Sequence, residues 1–222
     1  MGFTVIGPDR FLGSGHPGSI RDDPPFLRLI ESSNAGRSWR PISLRGDVDF
    51  HVLEAQGKTV YGFGSDWETR EATFLRSDDG GRTWTQFAPP EPLLALAIDP
   101  QDARLSVALA EQRGWISRDG GSTWRPLSVP GGLVTWSREQ GLTAVDLQGV
   151  VRTASEPMAE WAEVGQLRGS PAALEAVDDE LLAATHASQV LSSRDGRQEL
   201  ATASGQLEVA KDASASEVQK GQ

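Results

Sequence analysis

The chain breaks into short apolar runs separated by clusters of Gly, Pro and Asp, and no window of a dozen residues holds a convincing helical period. In one stretch the runs occupy 48–54, 59–64, 72–77 and 83–88; in the next they occupy 93–98, 105–110, 114–117 and 123–127. Gly57, Gly80-Gly81, Pro89-Pro90, Asp99-Pro100, Gly120-Gly121 and Pro130-Gly131-Gly132 punctuate them. The pattern predicts four short strands per unit. The same reading gives strands at 3–7, 10–15, 27–32 and 39–44 before these units. After them it gives 133–137, 142–147, 150–153 and 160–164, then 172–177, 181–186, 190–193 and 199–203.

A sequence repeat marks the units. Ser77, Asp79, Gly81, Thr83 and Trp84 follow S-x-D-x-G-x-T-W, and Ser117, Asp119, Gly121, Thr123 and Trp124 repeat it unchanged. Ser32, Asn34, Gly36, Ser38 and Trp39 repeat it with conservative swaps. A worn copy follows at Thr153, Ser155 and Trp161, and another at Ser193 and Asp195, with Leu200 in the Trp position. Successive Trp positions are 45, 40, 37 and 39 residues apart. Hydroxyl and carboxylate oxygens accept from turn N–H groups, the Gly tolerates a backbone that a Cβ would obstruct, and the Trp supplies a large apolar plate. The motif therefore predicts a corner between the third and fourth strands, with the Trp restarting a strand. A calcium loop is the other reading of Ser77-Asp78-Asp79-Gly80-Gly81, but the EF-hand spacing and closing Glu are missing. Four strands per ~40 residues is the signature of a propeller blade. The expected fold is an all-β propeller of four-stranded antiparallel blades over 1–203. Five blades are visible, which predicts an incomplete or start-truncated ring, followed by a loose polar tail at 204–222.

Composition narrows the function classes. Among 222 residues there is no Cys, which removes disulfides, thiolate metal sites and Cys nucleophiles. The net charge of −10 argues against a nucleic-acid partner. The longest apolar run, 93–98, is far short of the ~18 residues of a membrane helix, so no membrane span is expected. Gly13, Gly15 and Gly18 match G-x-G-x-x-G, but Pro17 and Pro24-Pro25 deny the helix that a dinucleotide site needs. No cofactor is implied.

The repeated motif resembles that of the Asp-box, or BNR-repeat, propellers, a superfamily that includes sialidases, other glycan-active enzymes, sortilin-type receptors and photosystem assembly factors. The resemblance covers residues 3–203. Gly13-Ser14-Gly15-His16-Pro17, Asp49-Phe50-His51 and Ala184-Thr185-His186 are further similar to a bacterial sialidase-like, glycosyl-hydrolase-like group whose members are often exported. The resemblance implies binding, and in its enzymatic members cleavage, of envelope glycans at an extracytoplasmic location. It equally implies the alternative of a non-catalytic propeller that binds a small polar ligand or a protein.

Candidate site residues follow from blade topology. The start of an innermost strand and the end of a second strand share one face, and the repeat turns lie on the other. His51 near the start of an inner strand, and His16 and His186 at the ends of second strands, are therefore expected around one mouth of the channel, with Asp49 and Asp66 nearby. Trp67, in the excursion after Asp66, is a candidate stacking surface for a sugar. Glu111 and Arg113 occupy the matching excursion one unit later. The other reading of these positions is scattered polar residues at strand ends. A sialidase also needs a Tyr nucleophile and several Arg around the substrate carboxylate. The only tyrosine is Tyr61, in the middle of a predicted second strand with Gly62 and Gly64 leaving room around it, and packing in the core is its expected role. Arg28, Arg76, Arg118 and Arg152 recur on third strands, a regularity that points to blade structure. No catalytic residue is assigned.

Overall fold

The computed structural model describes residues 2–15, 28–44, 48–66, 68–177, 180–194 and 201–202. The expected polar tail at 204–222 lies outside the described residues, as do His16 and Trp67. Among the described residues every regular element is a strand, and twenty strands form five four-stranded antiparallel sheets. The fold is a five-blade β-propeller. The first blade is β1 (Phe3–Gly7), β2 (Arg10–Gly13), β3 (Leu29–Ser32) and β4 (Arg40–Ser43). The second is β5 (Val48–Gln56), β6 (Thr59–Asp66), β7 (Ala72–Ser77) and β8 (Thr85–Phe87). The third is β9 (Leu93–Ile98), β10 (Ser106–Ala110), β11 (Arg113–Ser117) and β12 (Arg125–Pro130). The fourth is β13 (Gly132–Ser137), β14 (Gly141–Asp146), β15 (Val150–Ala154) and β16 (Ala162–Gln166). The fifth is β17 (Pro171–Val177), β18 (Glu180–Thr185), β19 (Val190–Ser193) and β20 (Ala201–Thr202).

Blades stack face to face, so an interior sheet is covered on both sides. That is why β10 is buried along its whole length and reads as a continuous apolar run rather than an alternation. Four apolar clusters hold successive blades together. Leu12 and Leu29 pack with Phe50, Leu53 and Val60 between the first and second blades, and Tyr61, Phe63 and Phe74 pack with Leu93, Leu96 and Ala108 between the second and third. The other two clusters join the third blade to the fourth and the fourth to the fifth. The inner strands contact one another in the order β1, β5, β9, β13, β17; among the described residues β17 does not return to β1 with comparable packing.

The repeat turns are closed by their own side chains. Ser77 Oγ accepts from the Gly81 N–H at 2.8 Å and donates to Asp79 Oδ1 at 2.8 Å, and Asp79 accepts from the Thr83 N–H at 2.9 Å and the Thr83 hydroxyl at 2.7 Å. The third blade reproduces these bonds at Ser117, Asp119, Gly121 and Thr123. In the first, Asn34 replaces the carboxylate: it accepts from the Ser38 N–H at 2.9 Å and donates to the Ser38 hydroxyl at 2.8 Å. The Thr83 hydroxyl and amide hold the Asp79 carboxyl well below the usual carboxylate range. Gly121 sits at φ 88° against the preceding blade, where a Cβ would run into the Phe74 ring.

One expectation is corrected. The Trp does not restart the fourth strand: β4, β8, β12 and β16 each begin one residue after it. Its indole instead turns back on the corner. In the first two blades Trp39 Nε1 donates to Gly36 O at 3.1 Å and Trp84 Nε1 to Gly81 O at 3.0 Å.

Candidate functional site

Strands alternate in direction across a blade, so the repeat turns share one face with the far ends of the inner strands. The opposite face collects the inner-strand starts and the connections between second and third strands. On that face Asp49 and Asp66 sit side by side: the register pairs Val48 with Asp66 and Asp49 with Ser65. Between Phe50 and Val52 the register shifts, leaving His51 as the extra residue of a β-bulge. A bulge re-aims its side chain, and His51 is 53% exposed, with Nε2 3.9 Å from Asp49 Oδ2. Leu94 and Ala172 are the extra residues of bulges near the starts of β9 and β17, and both are exposed. The position is thus a recurrent blade feature, and only the second blade fills it with an imidazole. Gly64 makes the bulge possible, because a Cβ there would meet the Asp49 carbonyl, and Gly62 is filled by the Phe50 ring. These glycines accommodate backbone and core and leave no room beside Tyr61.

Asp66 caps its own turn. Its Oδ1 accepts from the Thr69 N–H at 2.8 Å, the Glu68 N–H at 2.9 Å and the Thr69 hydroxyl at 3.1 Å, and the Thr69 amide above all lowers its pKa. Glu111 is exposed in the turn between β10 and β11. Arg113 is also exposed, its Nε 3.9 Å from Glu91 Oε1, the same oxygen that accepts from Trp115 Nε1 at 2.7 Å. His186 is exposed on the fifth blade, where its backbone N–H donates to Ser170 O at 3.0 Å. The structure brings Asp49, His51 and Asp66 to one mouth of the second blade and joins Arg113 to Glu91. The expected approach of His16 to His186 falls outside the described residues.

Tyr61 is fully buried and donates its hydroxyl to Ala103 O at 2.7 Å; burial pushes its pKa up to about 12. The third-strand arginines do not converge. Arg76 pairs with Asp78 at 2.7 Å and Arg152 with Asp146 at 2.6 Å, each inside its own blade.

Sequence reasoning missed a second group, inside the channel toward the turn face. A cavity of about 200 Å³ is lined there by Glu54 and Gln56 of β5, Leu96 and Ile98 of β9, Thr135 and Trp136 of β13, and Glu175 of β17. Burial, reinforced by the charge of Glu175, pushes the Glu54 carboxyl up to about 8. Burial also raises Glu175, against the pull of the Ala176 N–H. The available signal was a carboxylate inside an apolar stretch of each of two inner strands, Val52-Leu53-Glu54-Ala55 and Ala173-Leu174-Glu175-Ala176.

No family model matches the chain. A 74-residue stretch is 30% identical to vacuolar protein sorting/targeting protein 10 of Phaeosphaeria nodorum, covering 31% of this chain and 5% of that protein. Among solved structures, YCF48 bound to D1 peptide aligns with TM-score 0.55 at 17% identity over 87% of this chain and 64% of that one. A chain of the nidogen/laminin complex aligns with TM-score 0.60 at 13% identity, over 77% and 72% of the two chains. An ancestral GH74 enzyme aligns with TM-score 0.56 at 14% identity, over 82% of this chain and 29% of that one. These likenesses show the propeller fold, which YCF48, a chain of the nidogen/laminin complex and a GH74 enzyme share. Among the described residues no helix is long and apolar enough to cross a membrane.

Proposed function

We propose that this chain is a non-catalytic binding propeller that takes a basic polypeptide segment on the face opposite the repeat turns. The observation that carries the reading is the charge of that face over the second and third blades. Asp49, Asp66, Glu68, Glu71, Glu91 and Glu111 gather there against Arg70 and Arg113. Such a field raises the association rate of a cationic partner and falls with salt. His51 stands at the centre of the patch beside Asp49. The peptide named in the YCF48 structure is a precedent on the same fold. Glycan cleavage of the sialidase type, implied by the Asp-box resemblance, is disfavoured because a Tyr nucleophile must be reachable and ionisable, and Tyr61 is neither.

The test is fluorescence anisotropy with labelled Lys/Arg-rich and Asp/Glu-rich peptides beside a glycan array and a panel of fluorogenic glycosides. Expected is selective binding of basic peptides, weakened about tenfold by Glu68→Gln/Glu71→Gln/Glu111→Gln and by raising salt from 50 to 200 mM. Binding of glycans alone, or turnover of any glycoside, would overturn the reading.

A further inference from the structure

We infer that the turn-side end of the channel is a binding site for an alkylammonium group, carried by a small free amine or by a lysine side chain. The site is a cavity with walls from four blades. Glu54 and Glu175 reach it from strands that are not neighbours in the ring. The Glu54 carboxylate has no hydrogen-bond donor among the described residues. Gln56, on the same wall, has its amide oxygen shut away from solvent with no partner. The Gln56 oxygen is a buried acceptor without a donor beside the Glu54 carboxyl, Glu175 adds a second carboxylate at the exposed edge of the lining, and an ammonium brings three N–H donors and a compensating charge. A buried acceptor left unmade is costly, so the Gln56 oxygen points to a donor that arrives from outside.

The rest of the lining selects the kind of cation. Leu96 and Ile98 offer an apolar wall for an alkyl stem, and Trp136 offers an indole, the best aromatic partner for a cation. Among the described residues no group of three or more His, Asp or Glu side chains is placed to hold a metal ion, and this lining brings together only two carboxylates. The volume of about 200 Å³ admits a short chain and excludes a drug-sized ligand.

Binding should be coupled to protons. The groups facing Glu54 from β9 and β13 are uncharged, β1 beside it carries no ionisable side chain, and Glu175 on β17 is the other titrating group of the lining. With its carboxyl pushed up to about 8, Glu54 holds a proton at pH 7 and must release it when a cation binds. Affinity therefore rises from pH 6 to pH 9.

The experiment is isothermal titration of the full chain with n-butylammonium and, separately, with N-acetyl-lysine methylamide, in two pH 7 buffers of different ionisation enthalpy. Expected is saturable binding of at least one probe, a heat that differs between buffers by the released proton, and a loss of at least tenfold in Glu54→Gln and in Glu175→Gln. Both variants are neutral isosteres, and their melting curves verify folding. Ser33→Ala, an exposed residue outside the lining, leaves affinity unchanged. Butylammonium alone identifies a free amine as the ligand; binding of the blocked lysine as well identifies a side chain reaching in from a partner. Failure of both probes at 10 mM, or binding that both Gln variants retain, overturns the inference.

Discussion

At the scale of single residues, the repeat turn rests on one hydroxyl. Ser77 is 1% exposed, and its oxygen both accepts from Gly81 and donates to Asp79. Ser77→Ala leaves a buried N–H without its acceptor and frees the carboxylate that grips Thr83. The expected cost is about 1–2 kcal/mol, read from chemical denaturation. Ser33→Ala, one residue beyond the equivalent Ser32 and exposed, should cost nothing measurable. The identities Ser, Asp, Gly and Thr were legible as a turn because each bond is local. The backbone position of the Trp was not, because the residue at which the fourth strand resumes pairing is decided by its register against the third strand.

At the scale of elements, the junction between blades holds the molecule together. Phe74 of β7 is fully buried, stacks on Tyr61 at 5.6 Å and meets the edge of Trp124 at 5.4 Å. Phe74→Ala opens a cavity that rigid neighbouring sheets cannot close, and the expected loss is about 3–5 kcal/mol by denaturant unfolding. Repeat-equivalent tryptophans should differ by their neighbours. Trp84 packs into the cluster between the first two blades, whereas Trp39 is 40% exposed on the outer side of the first blade, together with Phe3 and Val5. Trp84→Ala should therefore cost about 3 kcal/mol or more, and Trp39→Ala less than half of that. Equal losses would mean that another surface covers Trp39.

At the scale of the whole molecule, arranging five sheets around an axis puts Glu54 where an isolated strand would not. Its carboxyl is raised from 4.5 to about 8. The folded state thus binds more protons than the unfolded state across that interval, and stability falls as pH rises through it. The melting temperature should decline between pH 5 and pH 8, and Glu54→Gln should flatten the decline and melt several degrees higher at pH 8. A wild-type profile that rises over this range would show that Glu54 is not enclosed as described.

The sequence by itself determined the all-β class, the four-strand unit, the turn motif and the repeat, because each rests on contacts between residues close along the chain or on a period of about 40 residues. It also put Asp49 and Asp66 on one face, since strand direction alone decides that. Tertiary structure decided what lies across the axis. The bulge that turns His51 outward depends on Gly64 in the neighbouring strand, and Glu91 meets Trp115 only because the connection between β8 and β9 folds against β11. Glu54 and Glu175 stand 121 positions apart, and no local pattern marks them as partners. Their meeting is a consequence of ring geometry, which brings inner strands around one cavity whatever separates them in the chain.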